Sequence, residues 1–171
     1  MNPVLDRWNS LDQDAAASTV LPCCGSRAWA SALAAQRPIA DKLKLLQASS
    51  AVWLALPHEA WQEAFDSHPR IGEQKAQKDA TAESLQASAK EQSVAISADD
   101  AAKLALKEAN LRYEARFGRI FIICASGRST SEILAALEAR MSNDDATELQ
   151  EAAEQQRQIT ALRLKRWLGA E

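Results

Sequence analysis

Only one stretch of the 171-residue chain has the pattern of a β-strand, and no other feature constrains the fold as much. It is "RIFIICAS", residues 119–126, in which β-branched and aromatic residues form an unbroken run typical of a buried strand. One strand cannot form a sheet, because its backbone N–H and C=O groups need partners on a neighbouring strand. We therefore expect an all-α fold with one buried extended segment near residues 119–126. That segment is either simple core or an edge that contacts a ligand.

The rest of the chain favours helices, since alanine is abundant and glycine and proline number five each. Apolar residues recur at spacings of three and four before Gly118, at Ala102, Leu106, Ala109, Tyr113 and Phe117. Caps and periodicity predict helices over residues 2–11, 24–36, 40–56, 57–67, 82–96, 97–117, 129–142 and 144–168. The polar residues 73–81 are expected to form a loop. No repeat or boundary is apparent, so residues 1–171 are predicted to form one helical bundle domain.

Composition limits the functional classes. The chain is 47% hydrophobic and 25% charged with a net charge of -3, which is typical of a soluble globular protein and argues against a general nucleic-acid binder. The N-terminal region has no long apolar run, so we expect neither a signal peptide nor a membrane anchor. Three cysteines without C-x-x-C spacing fit a reducing compartment, and a cytoplasmic location is expected.

His68 is one of two histidines and stands directly before Pro69. Proline pushes the residue before it into extended geometry, so the imidazole is presented from a stiff turn just past a helix. Imidazole titrates near neutral pH and suits proton transfer or stabilisation of a developing negative charge. The alternative is that the ring caps the preceding helix or lies in solvent.

Polar residues share one face of the helix that contains "SAKEQSVA", residues 88–95. Ser88, Glu91, Gln92 and Ala95 follow helical spacing, whereas Leu85, Ala89 and Ile96 cover the adjacent face and can pack inward. A carboxylate beside an amide and a hydroxyl can orient a small polar ligand. A solvated surface is the alternative.

Arg163 lies on an apolar stripe with Ile159 and Trp167, at i, i+4 and i+8. Its planar guanidinium fork suits a carboxylate. An arginine among apolar residues either extends to solvent or meets an anion, and an internal salt bridge to Glu91 or another acid is the competing interpretation. Arg157, six residues earlier, is a weaker candidate.

Other chemistries lack a motif. "ASGRST" lacks the glycine and lysine positions that would cradle phosphates in a phosphate-binding loop. Neither histidine belongs to a cluster with metal-ligand spacing, so no metal is expected. Cys124 has no neighbouring histidine in sequence, which favours a core cysteine over a nucleophile.

Taken together, several stretches resemble the 2-oxo-4-hydroxy-4-carboxy-5-ureidoimidazoline (OHCU) decarboxylases of urate breakdown. They occur in the expected order over nearly the whole chain: "LPCCGSRAWASAL", "SHPRIGE", "SAKEQSVA", "YEARFGRIFIICASGRS", "NDDATELQEAAEQQRQIT" and "ALRLKR". The resemblance implies an all-helical carboxy-lyase without a cofactor, usually a homodimer, that converts this small-molecule substrate to (S)-allantoin.

The resemblance also implies the site. The family's catalytic histidine and glutamate correspond to His68 and Glu91, and its substrate-binding arginine corresponds to Arg163. Further substrate-binding positions correspond to Pro69, Ser88, Gln92, Phe117, Ile120, Phe121 and Ile122. Two alternatives remain at this point. One is a non-enzymatic helical adaptor, which would not explain the histidine–proline turn, and the other is a different ureide lyase or hydrolase on the same scaffold.

Overall fold

The computed structural model describes residues 2–72, 81–92 and 100–169. Within them the regular structure is helical and includes no β-strand, which confirms the predicted all-α class. The α-helices are α1 (Pro3–Asn9), α2 (Gln13–Val20), α3 (Arg27–Ala34), α4 (Lys42–Ala55), α5 (His58–Asp66), α6 (Ala82–Glu91), α7 (Asp100–Phe117), α8 (Thr130–Arg140) and α9 (Asp145–Trp167). A 3-10 helix, Leu21–Cys23, follows α2.

Most helices begin where a short polar side chain satisfies the first backbone amides. Asn2 Oδ1 accepts hydrogen bonds from the amides of Val4 and Leu5 at 2.9 and 3.1 Å, with Pro3 at the first helical position. The same arrangement starts later helices at Asp12, Ser26, Asp41, Thr81, Ser129 and Asp144. The start signals in the sequence therefore fix most helix beginnings to within a few residues.

The structure differs from the prediction between residues 10 and 26. The first helix ends at Asn9 rather than Leu11, and α3 begins at Arg27 rather than Cys24, because Ser26 is its cap. Neither α2 nor the 3-10 helix was predicted. Only Ala16 and Val20 of α2 are buried, so its apolar pattern is too short to detect. The expected loop at 73–81 falls mainly outside the described residues, and so do the end of the helix predicted over 82–96 and the start of the helix predicted over 97–117.

The chain divides into two compact units, with the divisions inside α5 and α9. The first unit is Met1–Ala64 with Arg157–Glu171, and the second is Phe65–Gln156. Tryptophans dominate the core of the first unit. Trp8 packs edge-on against Trp167 at 5.8 Å between ring centroids, and Trp53 stacks on Trp61 at 5.7 Å.

The second unit has a core built largely on α7. Leu106, Ala109, Tyr113 and Phe117 are buried as the helical spacing predicts. They join a cluster that also contains Ile71, Phe121, Ile123, Ala125, Ile133 and Leu137. Gly118, at φ +69°, ends α7, and its amide donates to the carbonyl of Glu114 at 2.8 Å. The chain then continues as a buried, non-helical segment over residues 120–125, which agrees with the predicted extended segment.

Candidate active site

His68 lies just beyond the end of α5 in the second unit and is buried, with 4% of its surface exposed. Its backbone amide donates to the carbonyl of Phe65 at 3.1 Å. Its ring atom Nε2 lies 2.7 Å from Oε1 of Gln156 in α9. The alternative of an imidazole in solvent is therefore wrong, because the ring is enclosed and paired with a side-chain amide.

The contact with Gln156 also selects a tautomer. Because the amide oxygen of Gln156 can only accept, this contact favours the tautomer in which Nε2 of His68 carries hydrogen. In the neutral ring, Nδ1 then has the lone pair that can accept a proton. The second unit therefore holds one imidazole in an orientation suited to proton transfer.

The residues that follow His68 and the buried Pro69 are each tied to another helix. Arg70 forms a two-pronged ion pair with Glu114 of α7, Nε to Oε1 at 2.6 Å and Nη2 to Oε2 at 3.2 Å. The carbonyl of Ile71 accepts from Asn110 Nδ2 at 3.2 Å. Gly72 donates its amide to Oε1 of Gln92 at 3.2 Å. Backbone conformation explains the glycine, because its φ is +90°. Lack of space does not, because an added Cβ would lie an ordinary 3.7 Å from its nearest neighbour.

The polar face of α6 is buried rather than solvated. Ser84, Ser88 and Gln92, four residues apart, are 2%, 1% and 6% exposed, whereas Glu91 is half-buried. Leu85 and Ala89, expected to pack inward, are only half-buried. A helix that turns small polar groups inward provides hydrogen-bonding groups in a region from which water is largely excluded. Ala95 and Ile96 lie outside the described residues.

The segment Ile120–Ala125 has no strand partner, and side chains satisfy part of its backbone. Arg140 of α8 donates to the carbonyl of Ile122 at 2.6 Å, and the amide of Cys124 donates to Gln155 Oε1 at 2.9 Å. Within the part of the chain that the structure describes, the amides of Ile120, Phe121 and Ile122 donate no hydrogen bond. These N–H groups are consistent with the ligand-contacting alternative, although Phe117 and Phe121 are also core residues.

Arg140 belongs to a buried polar network that was not predicted. Its Nε donates to Glu148 Oε1 at 2.8 Å, and its guanidinium lies 4.4 Å from the ring centroid of Phe121. Tyr113 also donates to Glu148, and Asn143 donates to Glu148 Oε2 at 3.0 Å. Burial and the bond to Glu148 raise the pKa of Tyr113, so its hydroxyl stays a donor. Through Arg140, which donates to the carbonyl of Ile122, the network fixes the position of that carbonyl.

Arg163 lies in the first unit and is 4% exposed. Its Nη1 donates to the carbonyl of Pro22 at 3.2 Å, so the alternative of a guanidinium extended to solvent is wrong. Burial raises the pKa of the nearby Cys24 thiol to about 12, although a bond to Ser26, a bond to Thr160 and the charge of Arg163 oppose the shift. Cys24 is therefore a neutral thiol and not a nucleophile.

Two glutamines of α9 carry contacts that sequence reasoning missed. Gln155 and Gln156 are 6% and 0% exposed, and they bind Cys124 and His68 respectively. The sequence does contain a signal for their burial, because both glutamines lie at helical spacing from the apolar residues Ala152 and Ile159. The same argument had singled out Arg163.

The part of the chain that the structure describes comprises residues 2–72, 81–92 and 100–169. No group of three or more histidine, cysteine, aspartate or glutamate residues there could hold a metal ion. No helix in these ranges has the length and apolar character needed to cross a membrane.

Two relatives with curated names match the chain. The uric acid degradation bifunctional protein TTL of Arabidopsis thaliana is 36% identical over 143 residues, which are 83% of this chain and 44% of the plant protein. The 2-oxo-4-hydroxy-4-carboxy-5-ureidoimidazoline decarboxylase of Amia calva is 40% identical over 70 residues, which are 41% of this chain and 39% of that protein. The match thus spans less than half the length of either relative.

Two solved structures share the fold. The crystal structure of OHCU decarboxylase in the presence of (S)-allantoin superimposes with a TM-score of 0.74 at 31% identity, covering 87% of this chain and 96% of that one. The crystal structure of (S)-allantoin synthase gives a TM-score of 0.71 at 20% identity, covering 95% and 53%, and supports the fold alone. Residues 9–165 match the family described as OHCU decarboxylase, and the chain belongs to that family.

Proposed function

We propose that the protein catalyses the cofactor-independent decarboxylation of OHCU to (S)-allantoin. The observation that carries the proposal is the buried imidazole of His68, 2.7 Å from Gln156, in a chain of the OHCU decarboxylase family. Burial with a fixed tautomer is what a proton-transfer group needs, and it is an expensive way to place a histidine with no role.

The reaction needs no electron sink from the protein. Cleavage of the bond between the hydroxyl-bearing ring carbon and the carboxylate releases CO2. The electron pair moves into the adjacent C=N system, whose nitrogen takes up a proton. The hydroxyl proton then leaves, so that its carbon becomes a carbonyl, while a proton arrives on the neighbouring carbon that bears the ureido group. The protein has to supply orientation and electrostatic stabilisation.

His68 is the proposed catalytic acid–base. With hydrogen on Nε2 directed to Gln156, Nδ1 is the atom that would receive the hydroxyl proton of the substrate. Glu91, the last residue of α6, is proposed to favour the charged form of the imidazole that results. General acid–base assistance of this kind contributes roughly 10²–10⁴ in rate.

The other residues are proposed to bind the substrate. Gln92 uses its amide oxygen for Gly72, which leaves its NH2 group to donate to a substrate carbonyl, and the buried hydroxyl of Ser88 lies one turn earlier on α6. The amides of Ile120, Phe121 and Ile122 are proposed donors to the ring, with Phe117 and Pro69 as apolar walls. Arg163 is proposed to bind an anionic edge, because its planar fork matches a carboxylate.

Three properties of the whole protein are part of the proposal and rest on the family resemblance: a homodimeric assembly, a cytoplasmic location and the absence of a cofactor. Sedimentation at micromolar concentration tests the first. Activity that survives exhaustive dialysis against a chelator tests the third.

The direct test supplies freshly generated OHCU to the purified protein and follows the optical signal of (S)-allantoin. A single enantiomer formed faster than in the protein-free control is expected, with CO2 released in equal amount. Racemic allantoin at the uncatalysed rate would remove the proposal, and another product would favour a different ureide lyase or hydrolase.

A further inference from the structure

The turn that presents His68 is held in place by α7. Asn110 and Glu114 are four residues apart on that helix and therefore share a face. Glu114 binds Arg70 through two hydrogen bonds, and Asn110 binds the carbonyl of Ile71. We call Arg70, Asn110 and Glu114 the turn clamp.

We propose that the turn clamp is a positioning device for the His68 imidazole, an inference that rests on the proposed function and deepens it. None of the three residues is assigned a contact with substrate. They act on the main chain two and three residues after His68.

The geometry explains why such a device is needed. On its N-terminal side, His68 is anchored by the bond from its amide to Phe65. On its C-terminal side, Pro69 fixes its own φ and keeps His68 out of the helical region, but it does not restrict the residues after it, and the chain turns at Gly72, which has φ +90°. Glycine is the most permissive residue of the backbone, so the turn needs bonds from elsewhere to stay fixed.

The two hydrogen bonds of the Arg70–Glu114 pair fix the orientation of the Arg70 side chain. Two parallel N–H···O bonds from a planar guanidinium to a carboxylate fix angle as well as distance. A loose turn would let the ring of His68 leave the 2.7 Å contact with Gln156, and a misplacement of about 1 Å can lower a rate on the order of 10²-fold.

Glu114→Gln and Arg70→Gln test the clamp by steady-state kinetics well below the melting temperature. We expect kcat to fall on the order of tenfold or more in each, with KM changed by less than about threefold. Because both changes remove one interaction, the double variant should lose no more than the worse single variant. Losses that multiply would overturn the proposal, since the two residues would then act independently.

The matched control is Glu138→Gln, which removes the exposed ion pair between Arg112 and Glu138 in the same unit. It should leave kcat unchanged. A purely structural role for the clamp would lower the melting temperature without changing kcat per folded molecule, and that result would also overturn the proposal.

A readout without substrate separates this inference from the proposed function. Nitrogen-15 labelling of histidine gives NMR signals from two rings, His58 and His68. The variant His58→Gln removes one set and so assigns the other to His68. In the wild type and in Glu138→Gln we expect one His68 tautomer with hydrogen on Nε2. In Glu114→Gln and Arg70→Gln we expect a tautomer mixture. Unchanged His68 signals in both variants would overturn the clamp, whether or not the protein forms (S)-allantoin.

Discussion

Oε1 of Gln156 lies 2.7 Å from Nε2 of His68, and the two residues are 88 positions apart in the sequence. A glutamine in the middle of the last helix thus favours one tautomer of a turn histidine, with hydrogen on Nε2. Any chemistry that uses the other ring nitrogen depends on this contact.

Replacing His68 by alanine is expected to lower kcat by roughly 10²–10⁴-fold, because the acid–base group is lost. Helical circular dichroism should be retained. His58→Ala is the control, since that ring is exposed and stacks on Trp61 at 5.0 Å between centroids. Activity of His68→Ala within about tenfold of the wild type would contradict the assignment.

Replacing Gln156 by leucine should lower kcat by about tenfold, because Nε2–H of His68 loses its acceptor and the ring its orientation. Gln150→Leu, at an exposed position of the same helix, should be neutral. Parallel Michaelis–Menten curves provide the measurement. Equal kcat values for the two leucine variants would show that Gln156 does not orient the ring.

Arg163→Lys should raise KM before it changes kcat, because a point charge cannot replace the two-donor fork. Arg157→Lys is the comparison, since Arg157 Nη1 lies 3.4 Å from Ser50 Oγ and has no proposed substrate contact. Titration calorimetry with (S)-allantoin should give a larger increase in Kd for Arg163→Lys than for Arg157→Lys. An unchanged KM in Arg163→Lys would refute the proposed role.

Arg140→Met should destabilise the protein by about 3–5 kcal/mol, because it leaves the carboxylate of Glu148 buried without its cation. Arg112→Met breaks an exposed pair and should change the free energy of unfolding by about 1 kcal/mol or less. Urea unfolding of both variants measures the difference. Similar values for the two would mean that the buried network does not behave as a charged pair.

The Cys24 thiol predicts a pH dependence of stability. Burial raises its pKa from 9.0 to about 12, so between these values the folded state holds a proton that the unfolded state releases. The free energy of unfolding should then fall as pH rises through this window, by at most about 1.4 kcal/mol per pH unit from this group. Urea unfolding at pH 8 and pH 10 should show a smaller decrease for Cys24→Ala than for the wild type. Identical decreases would exclude the contribution of Cys24.

Local patterns predicted the fold class and most helix beginnings, because caps such as Asn2 and Ser129 and the spacing of Leu106, Tyr113 and Phe117 act within a few residues. The burial of Ser84 and Ser88 was not predictable in this way. Their side chains are small and polar, and only the tertiary surroundings decide which face of α6 is enclosed.

The candidate site shows the same limit. The turn at His68 is a local signal, whereas its partners Gln156, Asn110 and Glu114 lie on helices far along the chain. The extended segment was predicted from its composition. The side chains that satisfy it, Arg140 and Gln155, could not be predicted, because a sequence does not state which long polar side chain reaches a given carbonyl or amide.

The segment Ile120–Ala125 has a consequence for what happens when this protein unfolds. An apolar, β-branched run of six residues without charge, proline or glycine has the composition of segments that stack into cross-β fibrils. In the native protein the segment is buried, and Arg140 and Gln155 bind part of its backbone, so burial keeps it from pairing with another molecule. Opening of the second unit would expose a self-templating strand, which makes aggregation the expected fate of the unfolded chain.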